Sequence, residues 1–201
     1  MNTKKLILEK TLKLMVKNRN SLVSIREISA ETGIATGGIY YYFSSKEEIC
    51  NEITERYLLD YVKFDMGKLT QIKGNAKEKI HDTMAEMIKQ KQIGIEIETI
   101  EDVDYREILN VLTANGFAYE NSRKIYQGII KELKAFFTEI IVEGQKNRQI
   151  RQDFSTEAIV DSLILMYMGI QYKWEMYLID DMISTFEDIF NLEWEKIRFR
   201  E

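Results

Sequence analysis

The sequence has no proline, one cysteine (Cys50) and one histidine (His81) in 201 residues. Average usage of about 5% would place roughly ten prolines in such a chain. Their absence excludes collagen-like, proline-linker and mucin-like chains. It also disfavours a loop-rich β-sandwich, whose turns lean on proline. Proline costs about 3 kcal/mol inside a helix, so the chain is open to long helices. A lone cysteine excludes an internal disulfide and a cysteine-based zinc site, and a lone histidine excludes a multi-histidine metal site. No metal and no cofactor is expected, since neither a Walker loop nor a GxGxxG run is present. No uncharged run reaches the ~20 residues of a membrane helix. Glu9, Lys10 and Lys13 break the apolar start at once, which argues against a signal peptide. A cytoplasmic protein with no membrane partner is the expectation.

What is present is a globular composition: 45% hydrophobic and 30% charged residues. The net charge of −5 is unevenly spread. Residues 1–46 carry eight Lys/Arg and three Asp/Glu, a net of +5, and the remainder carries −10. A basic N-terminal module on an acidic body follows from this split, with a division expected into residues 1–46 and 47–201.

Apolar residues recur at helical spacing almost everywhere, so the fold class expected is all-α, with about nine helices. The first spans about Thr3 to Lys17 and is broken by Asn18-Arg19-Asn20. Ser24 and Glu27 form a capping-box pattern ahead of a second, short helix, which Gly33 ends. A third runs from about Thr36 to Phe43. Ser44-Ser45 cap a fourth, expected to continue unbroken to about Met66. Gly67 to Asn75 reads as a loop. Later helices are expected at about 76–94, 105–115 (closed by Gly116), 119–147, 156–177 and 180 to the end. Residues Ile95 to Asp104 alternate (Ile95, Ile97, Thr99) as a strand could, but with no partner strand elsewhere they read as helix end plus loop.

Two short helices joined by a glycine turn on a basic module make a helix-turn-helix pattern. Ile25, Ile28, Ile34, Ile39 and Phe43 would pack its core against the first helix. The second short helix would then present Thr36, Gly37, Gly38, Tyr40, Tyr41 and Tyr42. Hydroxyls there can bond phosphate or base edges, and glycines admit close approach. Three consecutive tyrosines point in three directions on a helix, so at most one or two can be core.

The stretch from Ser24 to Lys46 closely resembles the DNA-binding signature of the tetracycline-repressor (TetR) family. Ile25, Arg26, Ile28, Gly33, Ile34, Gly37, Ile39, Tyr40, Tyr42, Phe43 and Lys46 carry the match without a gap. The resemblance implies an Ω-shaped homodimer of nine-helix chains. Its first three helices would bind a palindromic double-stranded DNA operator. Helices four to seven would enclose a small-molecule effector, and helices eight and nine would form the dimer interface. The DNA contacts implied are Ser24, Arg26, Thr36, Gly37, Gly38, Tyr40, Tyr41, Tyr42 and Lys46. Thr36 stands where the family often has Lys, Gly38 where it often has Thr or Ser, and Arg19-Asn20 where a glycine is usual.

The eighth helix carries an apolar stripe of Ile159, Leu163, Met166, Ile170 and Trp174; the ninth carries Ile183, Phe186, Phe190, Trp194 and Ile197. Leu165, Met168, Tyr172, Met182 and Ile189 fall off these stripes and need another partner, which a second subunit supplies most simply. A lipophilic effector could be lined by Tyr61, Phe64, Met84, Met87, Phe117, Tyr126, Met166 and Trp174, because methionine adapts and aromatics give walls with polar tips; a filled core is the alternative for each. The acidic run of Glu96, Glu98, Glu101, Asp102 and Asp104 reads as a solvated loop. Cys50 beside Ile49 and Ile53 reads as small core. It and His81 lie on separate helices, so no catalytic residue is expected and the chain is not read as an enzyme. The reading is a ligand-responsive transcriptional repressor, with a dimeric helical adaptor as the alternative. The fourth helix, if continuous from Lys46 past Tyr61 and Phe64, would be the lever between effector and DNA.

Overall fold

The computed structural model describes residues 2–18, 23–58, 63–92, 104–118 and 120–200. Among these residues the chain forms ten α-helices: α1 (Thr3–Lys17), α2 (Ile25–Thr32), α3 (Thr36–Tyr42), α4 (Lys46–Ile53), α5 (Met66–Leu69), α6 (Ala76–Gln92), α7 (Tyr105–Ala118), α8 (Glu120–Lys146), α9 (Thr156–Glu175) and α10 (Met182–Ile197). No strand occurs among them; one isolated antiparallel bridge pairs Ile150 with Arg198. The all-α expectation is met. The break at Arg19-Asn20, Tyr61, Ile95 to Val103 and the acidic residues Glu96, Glu98, Glu101 and Asp102 lie outside the described residues.

Two expectations about chain path need correction. The fourth helix does not run unbroken to Met66. Its α-helical part ends at Ile53 and passes into a π-helical stretch, Thr54–Leu58. The wider π turn brings Thr54, Tyr57 and Leu58 inward together, and the Thr54 hydroxyl donates back to the Cys50 carbonyl at 3.0 Å, a bond that bends helices. Further on, Asp65 caps a separate short helix, α5, its carboxylate accepting from the Lys68 N–H at 3.2 Å. That helix lies partly in the stretch read as loop, which explains the tenth helix. Gly116 does not end α7, which continues to Ala118.

The chain divides into two compact units, residues 1–63 with 94–126, and 64–93 with 127–201. In the first, α1 packs on α2, α4 and α7, and α3 packs on α2. Its core holds Ile7, Leu8, Leu12, Ile28, Ile39, Phe43, Ile49 and Ile53, all essentially inaccessible. Ile25 and Ile34 are only half-buried. In the second unit, α6 packs on α10 and α10 on α9. Ile80, Met84, Met87, Phe137, Ile141, Leu163, Phe186 and Phe190 form its centre.

Candidate nucleic-acid interface

The helix-turn-helix geometry follows from local chemistry. Ser24 caps α2 through a reciprocal pair: its hydroxyl accepts from the Glu27 N–H at 3.2 Å, and Glu27 accepts from the Ser24 N–H at 2.7 Å. The Ser24 hydroxyl proton also goes to Glu27, at 2.7 Å. These bonds, the hydroxyl's first, hold the Glu27 carboxyl below its ordinary pKa. Ser24 is therefore exposed, as a DNA-facing residue must be, yet its donor is already committed to the cap.

The turn after α2 needs a left-handed residue, and Gly33 supplies it at φ +71°. Side chains then lock the crossing. The Ser29 hydroxyl donates to the Ile34 carbonyl at 2.7 Å, and the Ile34 N–H donates to Thr32 Oγ1 at 3.2 Å. Ala35 starts α3 without a side-chain cap. Ile39 and Phe43, four residues apart, face the core. This orientation leaves Thr36, Gly37, Tyr40, Tyr41 and Tyr42 exposed and Gly38 half-buried. Tyr41 is 83% accessible, and its ring meets Tyr42 edge-on at 5.1 Å. Arg26 is exposed on α2. Lys46 opens α4 behind Ser45, which accepts from the Glu48 N–H at 3.1 Å, while Glu48 takes the Ser44 N–H and hydroxyl.

Part of the module's positive charge is neutralised internally. Lys4 pairs with Glu52 at 2.6 Å and lies over the Phe43 ring, and Lys10 pairs with Glu31 at 3.3 Å. Lys5 reaches Glu9 at 3.6 Å, and Glu9 is almost wholly buried. Lys4 and Lys10 brace α1 against α4 and α2, while the Lys5 pair lies along α1. Arg26 and Lys46 make no ion pair among the described residues, so they are the cations left to an external anion beside α3.

The residues expected to line an effector site are divided. Phe64, Met84, Met87, Met166 and Trp174 share the second unit's core, Met84 and Met87 fully buried and the other three partly. Tyr126 falls in the first unit. Tyr61 and the Phe117 side chain lie outside the described residues. Sequence reading missed the charges set among this apolar group. Lys91 is 3% exposed, with its ammonium 4.0 Å from the Phe64 ring centre. Burial draws its pKa down to about 7, although the Glu175 carboxylate works the other way. Glu175, also buried, accepts from the Gln171 amide at 2.8 Å. The spacing held a signal: Lys91 follows Met84 by seven and Met87 by four, which places it on the apolar face. His81 joins α6 to α10. Its ring nitrogens lie 2.8 Å from Asp82 and 2.9 Å from Glu187, and its ring packs tilted against Phe186 and edge-on to Phe190. Met182, expected to need an outside partner, is buried inside the unit. Leu165, Met168 and Tyr172 do stand exposed on α9, and Leu192 on α10.

The sequence profile described as "Bacterial regulatory proteins, tetR family" matches residues 7–53, from α1 through the end of α4. Over these residues the chain is similar to the TetR family. The match supports a DNA-binding role for this module. An uncharacterized HTH-type transcriptional regulator of Bacillus subtilis, YerO, is 26% identical over 147 residues, 73% of this chain. The match spans 44% of that curated relative's length. Two solved structures share the fold. NalD, the secondary repressor of the MexAB-OprM multidrug efflux pump in Pseudomonas aeruginosa, superposes with a TM-score of 0.70 at 14% identity, covering 98% of this chain and 95% of that one. A regulator from Saccharomonospora viridis in complex with choline gives 0.63 at 17% identity, covering 98% of each. No helix among the described residues is long and apolar enough to cross a membrane, and no group of three or more His, Cys, Asp or Glu among them is placed to hold a metal ion.

Proposed function

We propose that this chain is a ligand-responsive transcriptional repressor that binds a palindromic operator as a homodimer and leaves it when a small molecule binds. One observation carries the reading. The family-matched module holds Ile39 and Phe43 inward and turns Thr36, Gly37, Tyr40, Tyr41 and Tyr42 out, with Arg26 and Lys46 free beside them. A helix so presented fits the major groove, which admits an α-helix, and the flanking cations meet phosphates. Ser24 and Gly38 complete the proposed DNA-facing set.

The dimer is supported by the uncovered apolar face of α9, where Leu165, Met168 and Tyr172 follow one another at helical spacing. Pairing there would suit a palindrome, whose half-sites lie about 34–36 Å apart or a multiple of that. The effector is proposed to enter near Phe64, Met84, Met87, Met166 and Trp174, with Tyr61, Phe117 and Tyr126 as further candidates. Supporting this, the fold is shared with a regulator solved with choline and with the repressor of an efflux pump. Residues 1–46 are the proposed DNA-binding part, residues 47–201 the effector and dimer part, and the cytoplasm the proposed location. Because α4 gives way to a π stretch, transmission would pass through a deformable segment at Thr54–Leu58 rather than a single rigid rod.

The deciding experiment is retardation of the DNA upstream of the chain's own gene. A repressor binds one site there at least ~1,000-fold more tightly than unrelated duplex, loses affinity steeply with salt and sediments as a dimer. Specific and non-specific affinities within tenfold of each other would sink the reading and leave the adaptor.

A further inference from the structure

The DNA-facing surface is unusual in what it can say to a base pair. From Thr32 to Ser45 there is no Arg, Lys, His, Asn, Gln, Asp or Glu. That run covers the turn and all of α3. The side chains that discriminate bases by paired hydrogen bonds are therefore missing from the turn and α3: Arg or Lys for guanine, Asn or Gln for adenine, Glu or Asp for cytosine. What α3 exposes instead is one Thr, with a methyl and a hydroxyl, and three tyrosine rings. Thr36 and Tyr40 are four residues apart and share a face, and Tyr41 lies next to Tyr40. The Tyr41 ring is the most exposed large hydrophobic group among the described residues, and its ring contact is an edge on Tyr42. An aromatic ring or a threonine methyl in the major groove has one base-specific apolar target, the C5-methyl of thymine.

Resting on the reading of α3 as the recognition helix, we propose that this chain reads its operator half-sites through thymine methyl groups, with Tyr41 as the principal specificity-determining residue and Thr36 beside it. Guanine is not directly read by α3. Arg26 and Lys46 hold the backbone and set affinity, while the rings set sequence. The half-sites so selected are A·T-rich across the base pairs that face α3.

The test uses the full chain and a randomised duplex library. Repeated selection should enrich half-sites with thymine opposite α3. Replacing those thymines by deoxyuridine removes only the methyl group, and should weaken binding about fourfold per contacted position, the worth of one buried methyl. Replacing guanines in the same site by 7-deazaguanine, which removes the N7 acceptor, should change nothing. At the position Tyr41 contacts, Tyr41→Ala should bind thymine and deoxyuridine equally, whereas Tyr41→Phe, which keeps the ring, should still distinguish them. Enriched sites centred on guanine, abolished by 7-deazaguanine and indifferent to deoxyuridine, would overturn the proposal while leaving a sequence-specific regulator in place. Enrichment of no sequence at all would overturn both the proposal and the regulator reading.

Discussion

Gly37 and Gly38 are neighbours on α3, yet the chain needs them for different reasons, and alanine substitution separates the two. A Cβ placed on Gly37 meets nothing within 4 Å, whereas one on Gly38 comes within 2.9 Å of Ile34 Cγ2. Nothing inside the molecule therefore asks for glycine at 37. Alanine is worth up to about 1 kcal/mol over glycine in a helix, less near an end. Gly37→Ala should then stabilise the free protein by about 0.5–1 kcal/mol, a rise in melting temperature of about 1–4 °C for a chain of this size. If Gly37 is glycine so that the helix backbone can come close to the duplex, the same methyl group must push the two apart. Losing one charge-assisted contact costs roughly 1.5–3 kcal/mol, so operator affinity should fall about tenfold to a hundredfold. Gly38→Ala should instead destabilise, by about 1 kcal/mol or more, because Ile34 must shift. Thermal melts and fluorescence anisotropy on one labelled operator measure both quantities. A Gly37→Ala protein that is more stable and binds at full strength would refute the close approach. One that fails to fold would refute the open space around residue 37.

Other outcomes follow from the same structure. Lys46→Ala should weaken binding to all duplexes alike and reduce the magnitude of the slope of log affinity against log salt by about one; an unchanged slope would remove Lys46 from the phosphate contacts. Leu165→Glu, at a position 68% exposed on α9, should leave each chain folded but shift sedimentation from dimer to monomer; an intact dimer would place the interface elsewhere. Stability should respond to pH through two groups of opposite sign. The His81 pKa is pulled down by partial burial, but hydrogen bonds to Asp82 and Glu187 outweigh that and raise it above its usual value. Its contribution is therefore complete below about pH 6.5 and is lost as pH rises through the folded value. Lys91 sits at about 7 when folded against about 10.4 unfolded, so stability gains as pH climbs from about 7 toward 10, by roughly 2 kcal/mol over the first 1.5 units. Lys91→Met should abolish the gain above pH 7, and His81→Gln the loss above 6.5, in melts from pH 6 to 9; a Lys91→Met protein that keeps the alkaline gain would show the lysine to be solvated.

The DNA-facing module was legible in the sequence because its devices are local. A capping box needs only Ser24 and Glu27, a left-handed stop needs only Gly33, and the burial of Ile39 and Phe43 follows from their spacing; the structure has each of these. The failures were of another kind. Thr54 to Leu58 reads as ordinary helix by periodicity, since a π turn changes the period for only a few residues. The Asp65 cap was hidden inside an apolar pattern that ran on to Met66. Charge was misjudged where it is paired inside the module. Counting residues puts Lys4, Lys5 and Lys10 into the module's net +5, while the fold sets them on Glu52, Glu9 and Glu31.

That internal pairing changes what the module's charge of +5 means. Three of its eight basic residues brace α1 against its neighbours or lie along it, and α3 contributes none. The cations left beside α3, Arg26 and Lys46, flank it on α2 and at the start of α4. A recognition surface arranged this way has its electrostatic attraction at the rim and an uncharged centre. Rim charges act on every sequence equally and weaken with salt, so they cannot distinguish operators. Discrimination is left to the uncharged centre, where contact depends on shape and methyl position and is far less sensitive to salt. Raising the salt concentration should therefore lower operator and non-operator affinity together and leave their ratio nearly constant. A ratio that collapses with salt would mean that charge, not the tyrosine face of α3, carries the sequence reading.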